Sequence, residues 1–225
     1  MFNTPRHPLA AARQLACAAE TRRLDLGEIA YRKAGQEMRR CFINVAGMGM
    51  DAAVIARLEG SRNSAILAAG LDTNAEVVAQ LGRKGRHAAG RWAYLAALLA
   101  TIFKYRPQPA RLTIDGRASE GPTHSVFVCN GQYFGGGMRV APEAEAGDGQ
   151  FDVVILGDLR PVELLWHLPK IYRGTHASHP KVRICRGSQV VIEPRHLLGL
   201  QADGEWIGQG AATFRLLPGA IKMRG

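Results

Sequence analysis

From residue 110 onward the sequence is a succession of short β-forming runs, most of them bounded by a turn dipeptide that few backbone shapes accept. Arg111–Ile114 runs into Asp115-Gly116, His124–Val128 leads to Asn130-Gly131, and Leu198–Ala202 meets Asp203-Gly204. Phe151–Ile155 follows Asp148-Gly149, and Lys181–Cys185, Gln189–Ile192, Thr213–Leu217 and Ala220–Met223 complete the series. Asn-Gly and Asp-Gly favour the left-handed conformations of tight hairpin loops. Many short strands joined this way predict an α+β, mostly β chain built as an antiparallel β-sandwich with a few helices.

The first half is less regular. Residues 8–21 are rich in Ala and helix formers, and Leu9, Ala12, Leu15 and Ala19 share a helical face. Arg23–Gly27 alternates as a strand does, and Phe42–Val45 reads as a second strand running into Gly47-Met48-Gly49-Met50-Asp51 and a helix at 51–58. Residues 60–87 give the weakest pattern, around a short helix at 74–82. Trp92, Leu95, Leu99 and Ile102-Phe103 recur at helical spacing over 90–104, and Pro107 stops that helix. A further helix over 161–172 starts on Pro161 and buries Leu164, Leu165 and Leu168.

Composition narrows the function classes. With 47% hydrophobic and 21% charged residues the chain is an ordinary folding sequence, and disorder is excluded as a global reading. The net charge of +10 comes from 23 Arg and 6 Lys against 19 acids. Arg forks onto phosphate, so nucleotides, nucleic acids and anionic headgroups are all admissible partners, as is a mere compositional bias toward Arg. No RNP-like aromatic pattern accompanies the basic residues, which argues for no nucleic acid. Cys17, Cys41, Cys129 and Cys185 fit neither a zinc spacing nor a disulfide scaffold, and are expected as reduced thiols in a cytoplasmic protein. The most apolar run, Trp92–Phe103, falls short of the roughly 20 residues a membrane span needs, so any membrane contact is expected to be peripheral.

Three loops carry candidate chemistry. Asn130-Gly-Gln-Tyr-Phe-Gly-Gly-Gly-Met138 lets the backbone approach a phosphate or another segment closely, or is simply a flexible turn. Glu143, Glu145 and Asp148 put three acids in one glycine-containing loop, as a hard cation requires and as a solvated turn also allows. Asp203-Gly204-Glu205 offers one carboxylate to accept a hydroxyl proton and another to hold Mg²⁺ near phosphates, yet Asp-Gly is also a common hairpin turn. Asp115-Gly116 is read as that ordinary turn. His176 and His179 sit three apart, but no third metal ligand is identifiable beside them. There is no Gly-x-Ser-x-Gly and no Cys–His pair, so acyl transfer has no support.

Taken in order, these segments resemble one family. Arg23-Leu-Asp-Leu-Gly27, Phe42-Ile-Asn-Val-Ala-Gly-Met-Gly49, Asn130–Pro142, Asp148-Gly149 before Phe151–Ile155, Leu168-Pro-Lys-Ile-Tyr-Arg-Gly-Thr-His176, His179-Pro-Lys-Val182, and Gln201–Glu205 ahead of Leu217-Pro-Gly-Ala220 are similar to the bacterial diacylglycerol kinase and lipid kinase family, relatives of sphingosine and ceramide kinases. The resemblance runs from about residue 20 to the end. It implies transfer of the γ-phosphate of ATP to a lipid hydroxyl, with Mg²⁺, at a site between a nucleotide-binding domain and a C-terminal β-sandwich. Carried over, Asp203 resembles the general base and Glu205 the acid that organises Mg²⁺ and the phosphates. Asp148, with the backbone carbonyls of Glu145 and Gln150, resembles a structural Mg²⁺ site. Arg86 or Lys84 stands where the family keeps a basic residue near the nucleotide.

The chain departs from the family in two ways. The Gly-Gly-Asp-Gly-Thr nucleotide motif occurs nowhere in it, so residues 1–22 are expected to be a helical remnant or linker and residues 23–225 the C-terminal β-sandwich domain of a lipid kinase. Its expected partners are then a missing N-terminal nucleotide domain and a lipid substrate at the membrane surface, with a homodimer left open. Residues 60–85 are also longer than the family needs there, as an insertion or cap would be. Three rivals remain at this level. The chain could be a non-catalytic lipid-binding or regulatory module, a kinase of a soluble hydroxyl substrate such as the related NAD kinases act on, or a nucleic-acid binder with steep salt dependence.

Overall fold

The structure is a computed structural model that describes residues 21–58 and 97–224. The predicted helix at 8–21, apart from Thr21, which is strand, the helix at 74–82, the first part of that at 90–104, and both Lys84 and Arg86 lie outside the described residues. Strands β1 (Thr21–Lys33), β2 (Gln36–Phe42), β4 (Gln108–Ile114), β5 (Arg117–Thr123), β11 (Gln189–Pro194) and β14 (Ala212–Arg224) form one six-stranded sheet in the order β2-β1-β14-β11-β4-β5. The second sheet takes β3 (Val45–Gly49), β6 (Ser125–Cys129), β9 (Phe151–Leu156), β10 (Val182–Gly187), β12 (Gly199–Ala202) and β13 (Glu205–Gln209), in the order β10-β9-β6-β3-β12-β13. The short strands β7 (Tyr133–Phe134) and β8 (Met138–Arg139) make a separate hairpin, and every pairing is antiparallel. The sequence reading of an α+β, mostly β sandwich therefore holds.

The two sheets share one core, because alternate residues of each strand point inward. In β1 the inward set is Asp25, Gly27, Ile29 and Tyr31. Ile29, Phe42, Phe214, Val190 and Leu112 from the first sheet meet Met48, Val126, Phe151, Val153 and Leu200 from the second. Phe42 stacks on Phe151 with centroids 5.6 Å apart and meets Phe214 edge-on at 6.3 Å. Gly27 lies beneath the Phe42 ring, and a Cβ there would collide with it.

β3, β6 and β9 are buried at every position, which the alternation rule for a one-sided sheet does not allow. The outer face of their sheet is covered by helices. Helix α1 (residues 50–58), helix α2 (residues 97–102) and helix α3 (Pro161–Arg173) pack there through two further apolar clusters. Proline at N1 and Glu163, whose Oε2 accepts from the Arg160 N–H at 2.6 Å, start α3, and Gly174 in the left-handed region (φ +73°) ends it.

Two expected strand boundaries are corrected. Phe42–Val45 is not one strand: Phe42 ends β2, Ile43 and Asn44 bend, and Val45 starts β3. Thr213–Leu217 and Ala220–Met223 are one strand, β14, which passes Pro218-Gly219 as a bulge opposite Asp25. Strands β2, β5 and β13 carry too many polar residues to show in the sequence pattern. Both corrected boundaries trace to a buried or capping carboxylate.

Candidate functional site

Asp203 and Gly204 form the loop between β12 and β13, with φ of +48° and +84°, the pair of left-handed residues a two-residue hairpin turn of this hand needs. The turn aims the Asp203 carboxylate at the bend before β3. Oδ2 accepts from the Ile43 N–H at 2.8 Å, and Oδ1 accepts from Asn44 and Val45 N–H at 3.0 Å each. The Asp203 N–H in turn donates to the Val45 carbonyl at 2.9 Å. A carboxylate has about four lone-pair positions, so three are spent on these amides and one remains toward solvent. The side chain is exposed, as an acceptor of a substrate proton must be.

Glu205 points away from that position. Its Oε2 is ion-paired with the Arg40 guanidinium on β2, and both side chains are solvent-exposed. The hairpin thus brings the two predicted acids to neighbouring positions without a shared partner. Asn44 extends the site: its Nδ2 donates to the Tyr133 carbonyl at 2.7 Å, and its own carbonyl accepts from Asn130 and Gly131 N–H at 2.8 and 3.0 Å. The glycine-rich 130–138 segment is therefore tied to the strand break that Asp203 caps. A groove of about 670 Å³ lies alongside, lined by Arg22, Arg23, Ile43, Asn44, Tyr133 and Glu145 among others.

The hairpin is also tied to the interior. Gly204 N–H donates to Gln201 Oε1 at 3.1 Å, and Gln201 Nε2 donates to Asp51 Oδ2 at 3.2 Å. Ser125 Oγ donates to Asp51 Oδ1 at 3.3 Å. Asp51 is fully buried, and desolvation pushes its carboxyl up to about 6 against the opposing pull of hydrogen bonds from Ala52, Gln201 and Ser125. It lines an apolar cavity together with Leu98, Phe127, Phe134, Leu164 and Leu168. The cavity holds about 70 Å³, room for a few waters. Phe134 reaches into it from the strand whose Tyr133 carbonyl binds Asn44, so the glycine-rich segment joins the groove to the cavity. Asp51 and Gln201 were not singled out from sequence. The only signal was a polar residue inside an otherwise apolar run, Met48-Gly49-Met50-Asp51-Ala52.

The acidic loop is held by Asp25, which the sequence reading placed in the Arg23–Gly27 motif but gave no role. Buried in β1, it accepts from Gly149 N–H on Oδ2 at 2.8 Å and from Gly219 N–H on Oδ1 at 2.7 Å. Asp148 Oδ1 accepts from Gln150 N–H at 3.0 Å, while its Oδ2 is ion-paired with Arg186. The Glu145 carbonyl accepts from Gly147 N–H at 2.8 Å. Asp152 beside them is buried, and its Oδ2 has no hydrogen-bond partner, the nearest cation being Arg186 Nε at 3.9 Å. Burial raises its carboxyl, Arg186 opposes this, and Asp148, Glu143 and Glu145 add to the rise. The one unpartnered oxygen here is the buried Asp152 Oδ2; the Asp148 oxygens and the Glu145 carbonyl already have partners in Gln150, Arg186 and Gly147, so a hard cation would have to displace Arg186 to use Asp148. Among the described residues no group of three or more His, Cys, Asp and Glu side chains is arranged to hold a metal, so backbone carbonyls would supply the remaining ligands. His176 and His179 are not paired as metal ligands: His176 is buried with Nε2 bonded to the Val140 carbonyl at 2.9 Å, and His179 meets His167 edge-on with ring centroids 4.5 Å apart.

Known proteins resemble this chain in sequence and fold. Residues 65–224 match the sequence profile of the YegS C-terminal NAD kinase beta sandwich-like domain. A diacylglycerol kinase of Mycobacterium tuberculosis is 28% identical over 137 residues, covering 60% of this chain and 43% of the relative. Sphingosine kinase 1 of Arabidopsis thaliana is 25% identical over 122 residues, covering 51% and 25%. The chain spans less than half the length of these curated relatives. A crystal structure of a diacylglycerol kinase from Bacillus anthracis superposes with a TM-score of 0.58 at 16% identity, covering 98% of this chain and 60% of that one, which shows a shared fold. The chain belongs to the family of the YegS C-terminal NAD kinase beta sandwich-like domain, whose relatives here are lipid kinases.

Proposed function

We propose that this chain is the C-terminal, lipid-side domain of an ATP-dependent lipid kinase that phosphorylates a lipid hydroxyl such as that of diacylglycerol. The observation that carries the reading is the exposed Asp203 carboxylate, with one lone pair left, set beside a groove that the glycine-rich segment connects to an apolar cavity. In the reaction the lipid hydroxyl oxygen attacks the γ-phosphorus of ATP. Its proton passes to Asp203, the bond to the β-phosphate oxygen breaks, and ADP leaves. Glu205, released from Arg40, faces the phosphates. Mg²⁺, when bound, would supply charge neutralisation for the phosphates, and a second ion would be held by Asp148 with the backbone carbonyls of Glu145 and Gln150. The nucleotide is held by a further domain closing over the groove, with Arg86 or Lys84 as its basic contact. The cavity is too small for an acyl chain as it stands, so lipid entry requires the Leu164 and Leu168 side of α3 to yield.

A second reading is favoured by one observation. Three of the four Asp203 acceptor positions serve the backbone, which a non-catalytic lipid-binding module would also use to keep its fold. Phosphoryl transfer from labelled ATP to diacylglycerol in mixed micelles with Mg²⁺, by the chain joined to a nucleotide domain, separates the two. Transfer supports the kinase. Lipid binding without transfer supports the module, and transfer only to soluble hydroxyl compounds sinks both. Among the described residues no helix is long and apolar enough to cross a membrane, so the lipid would be reached from the surface.

A further inference from the structure

Helix α3 has two unlike faces, and only one of them belongs to the fold. Leu164, Leu168 and Ile171 pack inward on the sheet and line the apolar cavity. Val162, Trp166, Pro169 and Arg173 follow one another at i, i+4, i+7 and i+11, so they share one line along the helix. All four are exposed, and Trp166 and Val162 are 76% and 72% accessible. Tyr172 flanks this line at 37%. A tryptophan that open is costly to leave in water, and no residue of α3 is fully buried, so the helix does not gain its stability by hiding its outer face.

The charge on and beside this helix is net basic, with the exposed Asp158 the one acid just before it. Arg160 precedes the helix, and Lys170 and Arg173 occupy its last turn. The one acid of the helix, Glu163, is taken by Lys181 Nζ at 3.0 Å and does not offset them. A second copy of the chain would set this basic rim against itself, which costs energy. An anionic surface complements it. Apolar and aromatic side chains on one line with Arg and Lys beside them are the features of a helix lying in a membrane interface, and basic residues near such a surface are drawn to acidic headgroups.

We propose that α3 is a membrane-docking element, which lies in the interface of an anionic phospholipid bilayer with Val162 and Trp166 toward the acyl region and Arg160, Lys170 and Arg173 on headgroup phosphates. The inference rests on the lipid-side reading above and adds the face by which the protein meets the bilayer. It puts the inner face of the same helix, and with it the cavity, next to the surface from which a lipid would come.

The test uses the full chain and vesicles of phosphatidylcholine with or without phosphatidylglycerol, in flotation at low and high salt and with no nucleotide present. The chain is expected to float with phosphatidylglycerol vesicles and much less with phosphatidylcholine alone. Trp166→Glu and Val162→Glu should each weaken binding about tenfold, and Lys170→Glu with Arg173→Glu should weaken it by a similar factor and flatten its salt dependence. Leu197→Glu is the control, because Leu197 is 71% exposed on the β11–β12 connection, away from α3. Unchanged circular dichroism and melting of the variants guards against misfolding, since Val162, Trp166, Arg173 and Leu197 are exposed and Lys170, within 3.3 Å of His167 Nε2, is half-buried. Equal flotation of Trp166→Glu and wild type overturns the proposal, as does an equal loss in Leu197→Glu. A wild-type dimer that Trp166→Glu dissociates while vesicle binding persists overturns it in favour of self-association. Vesicle docking by this chain, with no phosphoryl transfer even after it is joined to a nucleotide domain and given ATP and Mg²⁺, sinks the kinase reading and leaves this one standing.

Discussion

Two Asp-Gly hairpins in this molecule are nearly superimposable in local chemistry and differ in what surrounds them. Asp115-Gly116 joins β4 to β5 with φ of +44° and +80°, and Asp203-Gly204 joins β12 to β13 with +48° and +84°. Each aspartate caps a neighbouring connection. Asp115 Oδ1 accepts from Ser188 N–H, Ser188 Oγ and Gln189 N–H at 3.1, 3.2 and 2.9 Å, much as Asp203 holds Ile43, Asn44 and Val45. The turn itself therefore cannot tell a structural aspartate from a reactive one. The difference lies one shell out. Asp203 has the groove, the glycine-rich segment and, through Gln201, the buried Asp51, whereas Asp115, in an edge hairpin of the other sheet, caps only the β10–β11 connection.

The comparison breaks most directly on turnover. Asp203→Asn, in a protein that carries the nucleotide domain, is expected to lower phosphoryl transfer by roughly 10²–10⁴, the usual worth of a general base, while Asp115→Asn leaves it close to wild type. Equal losses in a labelled-ATP assay would reduce Asp203 to a cap.

A second difference should appear in the pH dependence of stability. Asp51 titrates near 6 folded and at 3.8 unfolded, so between those values the native state holds a proton that the unfolded chain has released. Stability therefore falls as pH rises from about 4 to 6 and stays lower above, by up to about 3 kcal/mol. Denaturant melts across that window should show this fall in wild type and in Asp115→Asn, and its loss in Asp51→Asn. A parallel curve for Asp51→Asn would mean that Asp152, also raised by burial, carries the effect instead.

Smaller effects should make the two turns look alike. Removing either cap frees amide donors, so Asp115→Ala and Asp203→Ala should each cost about 1–3 kcal/mol in equilibrium unfolding. A clearly larger loss at Asp203 would show that its capped bend also supports the glycine-rich segment. Gly116→Ala and Gly204→Ala meet nothing within 4 Å but force a left-handed alanine. Each should cost about 1–2 kcal/mol, equally at both turns.

Much of the fold was legible because its signals are local. The Asp-Gly and Asn-Gly turns mark hairpins through the backbone conformations those residues tolerate, and Pro161 and Gly174 bound α3 for the same kind of reason. The site was legible in part: Asp203, Glu205 and Asp148 took roles from the resemblance, while Asp25 and Gln201 stood in its motifs without a role and Asp51 lay outside them. Those three act through partners far along the chain, Asp25 on Gly149 and Gly219, and Gln201 on Asp51.

By itself, then, the sequence determined the antiparallel, turn-rich β architecture, the helix over 161–172 and the position of the acids in their hairpin, because propensity and turn chemistry act within a few residues. Tertiary structure alone decided that Phe42–Val45 breaks into two strands, since three amides there are satisfied by a carboxylate about 160 positions away. It also decided that β14 continues through Pro218-Gly219, where Asp25 takes the Gly219 N–H across the bulge. In both places a buried or capping charge demands its hydrogen bonds wherever the fold can bring donors to it, and no local pattern records where that will be.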